Sequence, residues 1–307
     1  MKKNTSIAAV ISFAFLFFSS ICLFAQDTGS MLDLVKDSAE TEYVKNAFKS
    51  TRVINGQSIE MLGAGSLDFR ILHRFGFINS GPGQFFGLDQ AAIRLSFDYA
   101  PTNYLLVGIG RSSKDSKDID GFGKYRLFQQ STGARVMPLS VVLVAGVTCQ
   151  TTQFENQNVA NYFTSRLAYF EQVLLGRKFS DDFSFQLSPT LVHYNLVALT
   201  SEPHDIFALG FGGRIKITNR ISFTFDWYHP FNHLSAQPFV TYNPLNPFTP
   251  LDAIAIGIDI ETGGHVFQIH LTNCSGMNER AFITETTQNW LKGGISLGFN
   301  ISRIFQL

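Results

Sequence analysis

Charge is scarce in this chain. Lys, Arg, Asp and Glu together make up 16% of its 307 residues, where about a quarter is usual for a soluble protein. The 24 basic and 24 acidic side chains cancel, so there is no basic footprint for nucleic acid and no charged tail. Cysteine is almost absent. Of three, Cys22 lies in the N-terminal apolar run, which leaves Cys149 and Cys274. Two cysteines are no disulfide framework, and no Cys-x-x-Cys spacing offers a metal site. No cofactor is implied. The helical period is also missing beyond residue 65, and no stretch of the body is continuously apolar.

One apolar run exists, at the start. Lys2 and Lys3 precede an apolar segment from Ile7 to Phe24, followed by Ala25-Gln26. A basic n-region, an apolar h-region and a small residue before a polar start describe a secretory signal peptide, 1–25. A membrane anchor is the rival, since about 18 apolar residues just span a bilayer. Serines dilute the run and no basic stop-transfer flank follows. Cys22 is a poor lipidation site, because bulky Ile21 precedes it. Residues 26–62 form a polar N-terminal segment, with a short helical flavour in LVKDSAETEYVKNAF.

What is present is phenylalanine, 31 of them with 9 Tyr and 2 Trp, among β-branched residues that favour strands. From Gly65 the period is two. Twelve strands are predicted, at 66–77, 90–100, 104–112, 121–130, 138–149, 164–178, 183–196, 206–217, 221–229, 252–261, 265–273 and 291–303. Their connections alternate without exception. Short turns such as APTN (100–103), SDD (180–182), TNR (218–220) and TGG (262–264) interleave with long loops at 78–89, 113–120, 150–163, 197–205, 230–251 and 274–290. Transmembrane barrels sort their connections in this way, with tight periplasmic turns and extended outer loops. A soluble sandwich or lipocalin-like barrel explains the alternating strands but not the sorting of loops.

The faces agree. Leu67, Phe69, Ile71 and Phe75 alternate with Asp68, Arg70 and Arg74; Ile93, Leu95, Phe97 and Tyr99 alternate with Arg94, Ser96 and Asp98. An apolar face towards lipid and a polar face towards a lumen fits, and lipid forbids an open sheet edge. The expected fold, residues 63–307, is therefore all-β: a closed antiparallel up-and-down transmembrane β-barrel of about twelve strands. Both termini fall on the periplasmic side of an outer membrane. At about 4.8 Å between strands and a tilt of about 40°, the backbone diameter is near 24 Å, enough for a narrow lumen.

The candidate site is the inward charge cluster Asp68, Arg70, Arg74, Arg94, Asp98, Lys124 and Arg126, with Asp226 and Glu171 as further inward charges, the register of strand 164–178 being ambiguous. Such charges either pair into a ladder that fills the lumen or form a selectivity constriction. Gly294-Ile295-Ser296-Leu297-Gly298 matches the serine-hydrolase elbow, but that motif needs a strand-to-helix turn and here lies within the last strand. None of the seven histidines has metal spacing; His229 and His233 are four apart in a Pro-containing loop. The aromatic, proline-rich stretch FVTYNPLNPFTP (239–250) reads as a surface-binding lid or as packing over the barrel mouth.

TRVINGQSIEML (51–62), LDFRILHRFG (67–76), FGLDQAAIRLSFDY (86–99), VGIGRSS (107–113) and DGFGKYRL (120–127) resemble the signature run of a family of Gram-negative outer-membrane β-barrel proteins of unknown function. The resemblance implies the barrel fold and brings no activity, cofactor or site residue with it. It draws attention to 51–62, which as a strand would break the parity of the loops, and which is expected to lie in the lumen or across the periplasmic mouth as a plug. The functional expectation is a monomeric barrel, not an enzyme, passing a small polar or amphipathic solute through a narrow charged lumen. The alternative is a closed structural or adhesive barrel, and a lipid-modifying enzyme comes third. The partners expected are outer-membrane lipid and a small solute.

Overall fold

A computed structural model of the chain describes residues 40–113, 117–152, 162–197, 203–231 and 250–307. The predicted signal peptide, Cys22, His233 and all but the last residue of the 239–250 stretch lie outside the described residues.

The strands are β1 Ser66–Phe77, β2 Ala91–Tyr99, β3 Leu105–Ser112, β4 Ile119–Phe128, β5 Ser140–Cys149, β6 Leu167–Lys178, β7 Phe183–Tyr194, β8 Asp205–Lys216, β9 Ile221–Pro230, β10 Ala253–Thr262, β11 His265–Thr272 and β12 Ser296–Gln306. Each pairs antiparallel with its sequence neighbours, and β12 returns to β1 through pairs from Ser296↔Phe77 to Gln306↔Ser66, so the sheet closes. All twelve predicted strands form. The last starts at Ser296 rather than 291, because Trp290–Lys292 makes a 3-10 turn that ends on Gly293 in the left-handed conformation (φ 74°). Strand β4 begins two residues earlier than expected, which brings Asp120 onto the wall. A two-stranded clip, Thr41–Tyr43 against Ser131–Gly133, sits at the short-turn end. No described helix is long and apolar enough to cross a membrane.

Alternation decides which side chains line the inside. On β2, Arg94, Ser96 and Asp98 are buried while Ile93, Leu95, Phe97 and Tyr99 are exposed on the outer wall. On β6 the buried set is Ala168, Phe170, Gln172, Leu174 and Gly176, which puts Glu171 on the outer face. This corrects its inward assignment: the strand's period admits either register, and its apolar residues belong inside. The interior is thus two-sided. Strands β1, β2 and β9–β12 present mainly polar groups, whereas Val142, Val144, Phe170, Leu174, Val192 and Ala208 on β5–β8 make an apolar sector. That sector faces protein rather than water, because a chain segment and a loop occupy the interior.

Candidate functional site: the occupied lumen

Residues 47–62 thread the inside of the ring, and from Ser50 to Ile59 every residue is buried. The segment doubles back on itself. Val53 N donates to Gly56 O at 2.9 Å and Ser58 N to Thr51 O at 2.9 Å, leaving Ile54 and Asn55 at the tip.

The wall grips that tip through one carboxylate. Asp226 Oδ2 on β9 accepts from the backbone amides of Asn55 (2.6 Å), Gly56 (3.1 Å) and Ile54 (3.2 Å), and Oδ1 accepts from Asn55 Nδ2 (3.2 Å). Successive N–H groups converging on one anion form the nest that turns of this kind offer. Gly56 is needed for the approach, since a Cβ there would sit 1.9 Å from the Tyr228 hydroxyl. The segment's carbonyls are met in turn. Gln268 Nε2 donates to Val53 O (2.6 Å), Gln186 Nε2 to Gln57 O (2.6 Å), Lys124 Nζ to Glu60 O (2.6 Å) and Arg214 Nη1 to Asn46 O (2.7 Å). Buried backbone groups need such partners, and here wall side chains supply them in place of water. Val53, Ile59 and Leu62 pack on the apolar sector of the wall.

The long-loop end is filled from the other direction. The loop after β11 carries a short helix, α1 (Glu279–Thr284), with every residue buried and with Asn278 capping it by accepting from Ala281 N. Phe282 packs edge-on against Tyr228, with ring centroids 5.0 Å apart. Glu279 Oε1 meets Arg52 Nη1 at 2.9 Å and Gln57 Nε2 at 3.2 Å, so helix and threaded segment touch across the centre. Arg280 pairs with Asp118 at 2.7 Å and with Glu285. Against the opposing effect of burial, those two carboxylates hold its guanidinium well above its ordinary pKa. Cys274, at the start of this loop, is fully buried, and burial pushes its thiol up to about 11. Cys149 and Cys274 are both free.

The predicted charges fall in this setting. Asp68, Arg70, Arg74, Arg94, Asp98 and Lys124 are buried inside the ring, and Arg126 is half-buried at the short-turn mouth, donating to Gln129 Oε1 at 2.9 Å. Arg70 Nε meets Asp68 at 2.7 Å and Asp98 at 3.4 Å, and its Nη2 donates to Ser50 Oγ at 2.6 Å. Arg94 does not join that group. It forms a two-pronged pair with Asp120, at 2.8 and 2.5 Å. Arg74 pairs with no carboxylate among the described residues but donates to Asn300 Oδ1 (2.9 Å) and to Asn55 Oδ1 of the threaded segment (3.0 Å). Asp120, Arg52 and Glu279 were not among the predicted residues. Asp120 lay just outside a strand boundary drawn two residues late, and Arg52 and Glu279 meet from 227 residues apart. Ser296 donates its hydroxyl to Phe75 O at 2.7 Å, and no described histidine bonds to it. No group of described residues has the composition of a metal site.

A closed antiparallel ring with apolar side chains outside and a packed polar-and-apolar interior defines a transmembrane β-barrel. Residues 48–305 match the family model described as a membrane bound beta barrel domain (DUF5777), and the chain belongs to that family. No curated protein matches it. Among solved structures it is similar to the COG4313 outer membrane channel from Pseudomonas putida F1, at 14% identity over 80% of this chain and 98% of that one, with a TM-score of 0.48. It is also similar to the Acinetobacter baumannii outer membrane protein Omp33 (7% identity, 78% and 98% covered, TM-score 0.40) and to the CymD monoaromatic hydrocarbon channel (11%, 80% and 89%, 0.36).

Proposed function

We propose that the protein is an outer-membrane channel for a small amphipathic or polar solute, closed in the described state by residues 47–62 and α1. The observation that supports this reading most is how the segment is held. It is not a strand of the sheet but a folded-back chain fastened by side-chain hydrogen bonds to Asp226, Gln268, Gln186 and Lys124. Withdrawal of the segment breaks no strand pairing of the ring, so the barrel keeps its closed sheet while the lumen opens. The cleared lumen would be charged on one side and apolar on the other, which suits an amphipathic solute.

The paired interior favours a second reading, a closed structural or surface-binding barrel. Arg94–Asp120 and Arg70–Asp68 are paired within the lumen, as a permanent filling would be. Arg70→Ala combined with Arg94→Ala separates the two. In a channel it alters the ion selectivity of open events in planar bilayers, and in a closed barrel it lowers stability alone. A lipid-modifying enzyme is not favoured, because the Ser296 hydroxyl is committed to a strand carbonyl.

A further inference from the structure

The outer wall carries a feature that the channel reading does not use. Outward positions on either side of β6 hold small residues: Gly123 on β4, Ala145 on β5 and Pro189 on β7. With Leu143 and Phe207 as walls they form a hollow of about 730 Å³ on the face that alternation assigns to lipid. Its volume is in the range of small-molecule sites. Glu171, exposed, lines its edge, with Ala145 and Leu191 as its cross-strand neighbours. No hydrogen bond or ion pair to Glu171 is seen among the described residues.

The strand ladder is interrupted beside it. The β6–β7 ladder runs from Ala168↔Tyr194 to Gln172↔Thr190 and resumes only at Leu175↔Leu187. On its other side β7 stays paired with β8 through Pro189 and Ser188. The interruption follows from Pro189, which has no N–H to give across to β6. Within hydrocarbon a lone carboxylate is costly. The hollow therefore offers a carboxylate with no donor among the described residues, beside an apolar frame.

We propose that this hollow binds a bilayer-dissolved amphiphile with an apolar body and a primary ammonium head, the ammonium meeting Glu171. The apolar body matches the walls and the location. The carboxylate selects a cation over a neutral hydroxyl, and an ammonium carries three donors, enough to meet both oxygens of Glu171. A second barrel presents a convex wall and does not fill a concave one.

Native mass spectrometry of the full-length protein in neutral detergent tests this with three probes of equal chain length: hexadecylamine, hexadecanol and methyl hexadecanoate. The amine is expected to bind one to one, about tenfold more tightly than the alcohol, with the ester weakest. Glu171→Gln should erase the advantage of the amine, and Ala145→Leu should fill the floor of the hollow and remove binding of all three. Equal affinity for the three probes would overturn the proposal in favour of ordinary annular lipid. So would an unchanged amine affinity in Glu171→Gln. Dimers that disappear in Ala145→Leu with no bound probe would assign the hollow to a second copy of the chain instead.

Discussion

Asp226→Ala should open the barrel without dismantling it. The carboxylate receives three backbone N–H groups and one side-chain amide from the tip of the threaded segment. A hydrogen bond to a charged group contributes about 1.5–3 kcal/mol, and a buried donor left without a partner costs about 1–3 kcal/mol. Not all of that falls on the closed state, because the tip can rehydrate once it withdraws. A net loss of about 3 kcal/mol for the seated segment is a conservative figure, and it multiplies the ratio of open to closed lumens by about 150. The ring should survive, since Asp226 takes part in the β9–β10 ladder through its backbone, which alanine retains. Single-channel recording in planar bilayers reads the ratio directly. Asp226→Asn keeps the shape and one acceptor oxygen, and should fall between wild type and alanine. If Asp226→Ala inserts as a folded barrel and its open probability equals that of wild type, the reasoning about the latch is wrong.

Other consequences follow from the same geometry. Gly56→Val places side-chain atoms where the Tyr228 ring already stands, so this variant too should show frequent openings, while an exposed glycine such as Gly264 should tolerate valine silently. Arg94→Ala leaves Asp120 buried and unpaired, at a cost of about 3–5 kcal/mol in denaturant unfolding; adding Asp120→Ala should recover part of the loss. Truncation of Phe282 to Ala removes the aromatic contact between α1 and Tyr228 and should destabilise the seated loop by about 3–5 kcal/mol, seen as protease cleavage between residues 273 and 289. Since the Cys274 thiol is held up to about 11 by burial, it is almost wholly protonated at pH 8 and should resist maleimide there. Labelling at that pH should accelerate in Asp226→Ala if the latch and the loop are released together.

The barrel was legible because lipid imposes a strict rule on the outer wall. Ile93, Leu95, Phe97 and Tyr99 must be apolar whatever lies inside, and the alternation survives in the sequence. The inner wall obeys no such rule. Phe170 and Leu174 face inward because Ile59 and Phe282 are there to meet them, so β6 is apolar on both sides and its register could not be chosen. That is why Glu171 was assigned to the wrong face. The interior pairs were partly legible: Arg70 and Asp98 lie on neighbouring strands, but Arg94 finds Asp120 two strands away. The stretch 51–62 has no period of its own, because its backbone is satisfied by Gln268, Gln186 and Lys124 rather than by a ladder. Nothing local in TRVINGQSIEML announces that Arg52 will meet Glu279.

In the channel reading residues 47–62 close the lumen together with α1, which loses its Arg52 and Gln57 contacts when the segment is gone. The most direct test of that reading is the conductance of the barrel lacking residues 26–62, compared with the intact protein in the same planar bilayers. Brief, rare openings are expected for the intact chain and a steady conductance for the shortened one. A correctly inserted, shortened barrel that conducts no more than the intact protein would contradict the channel reading, and would leave the closed structural barrel in its place.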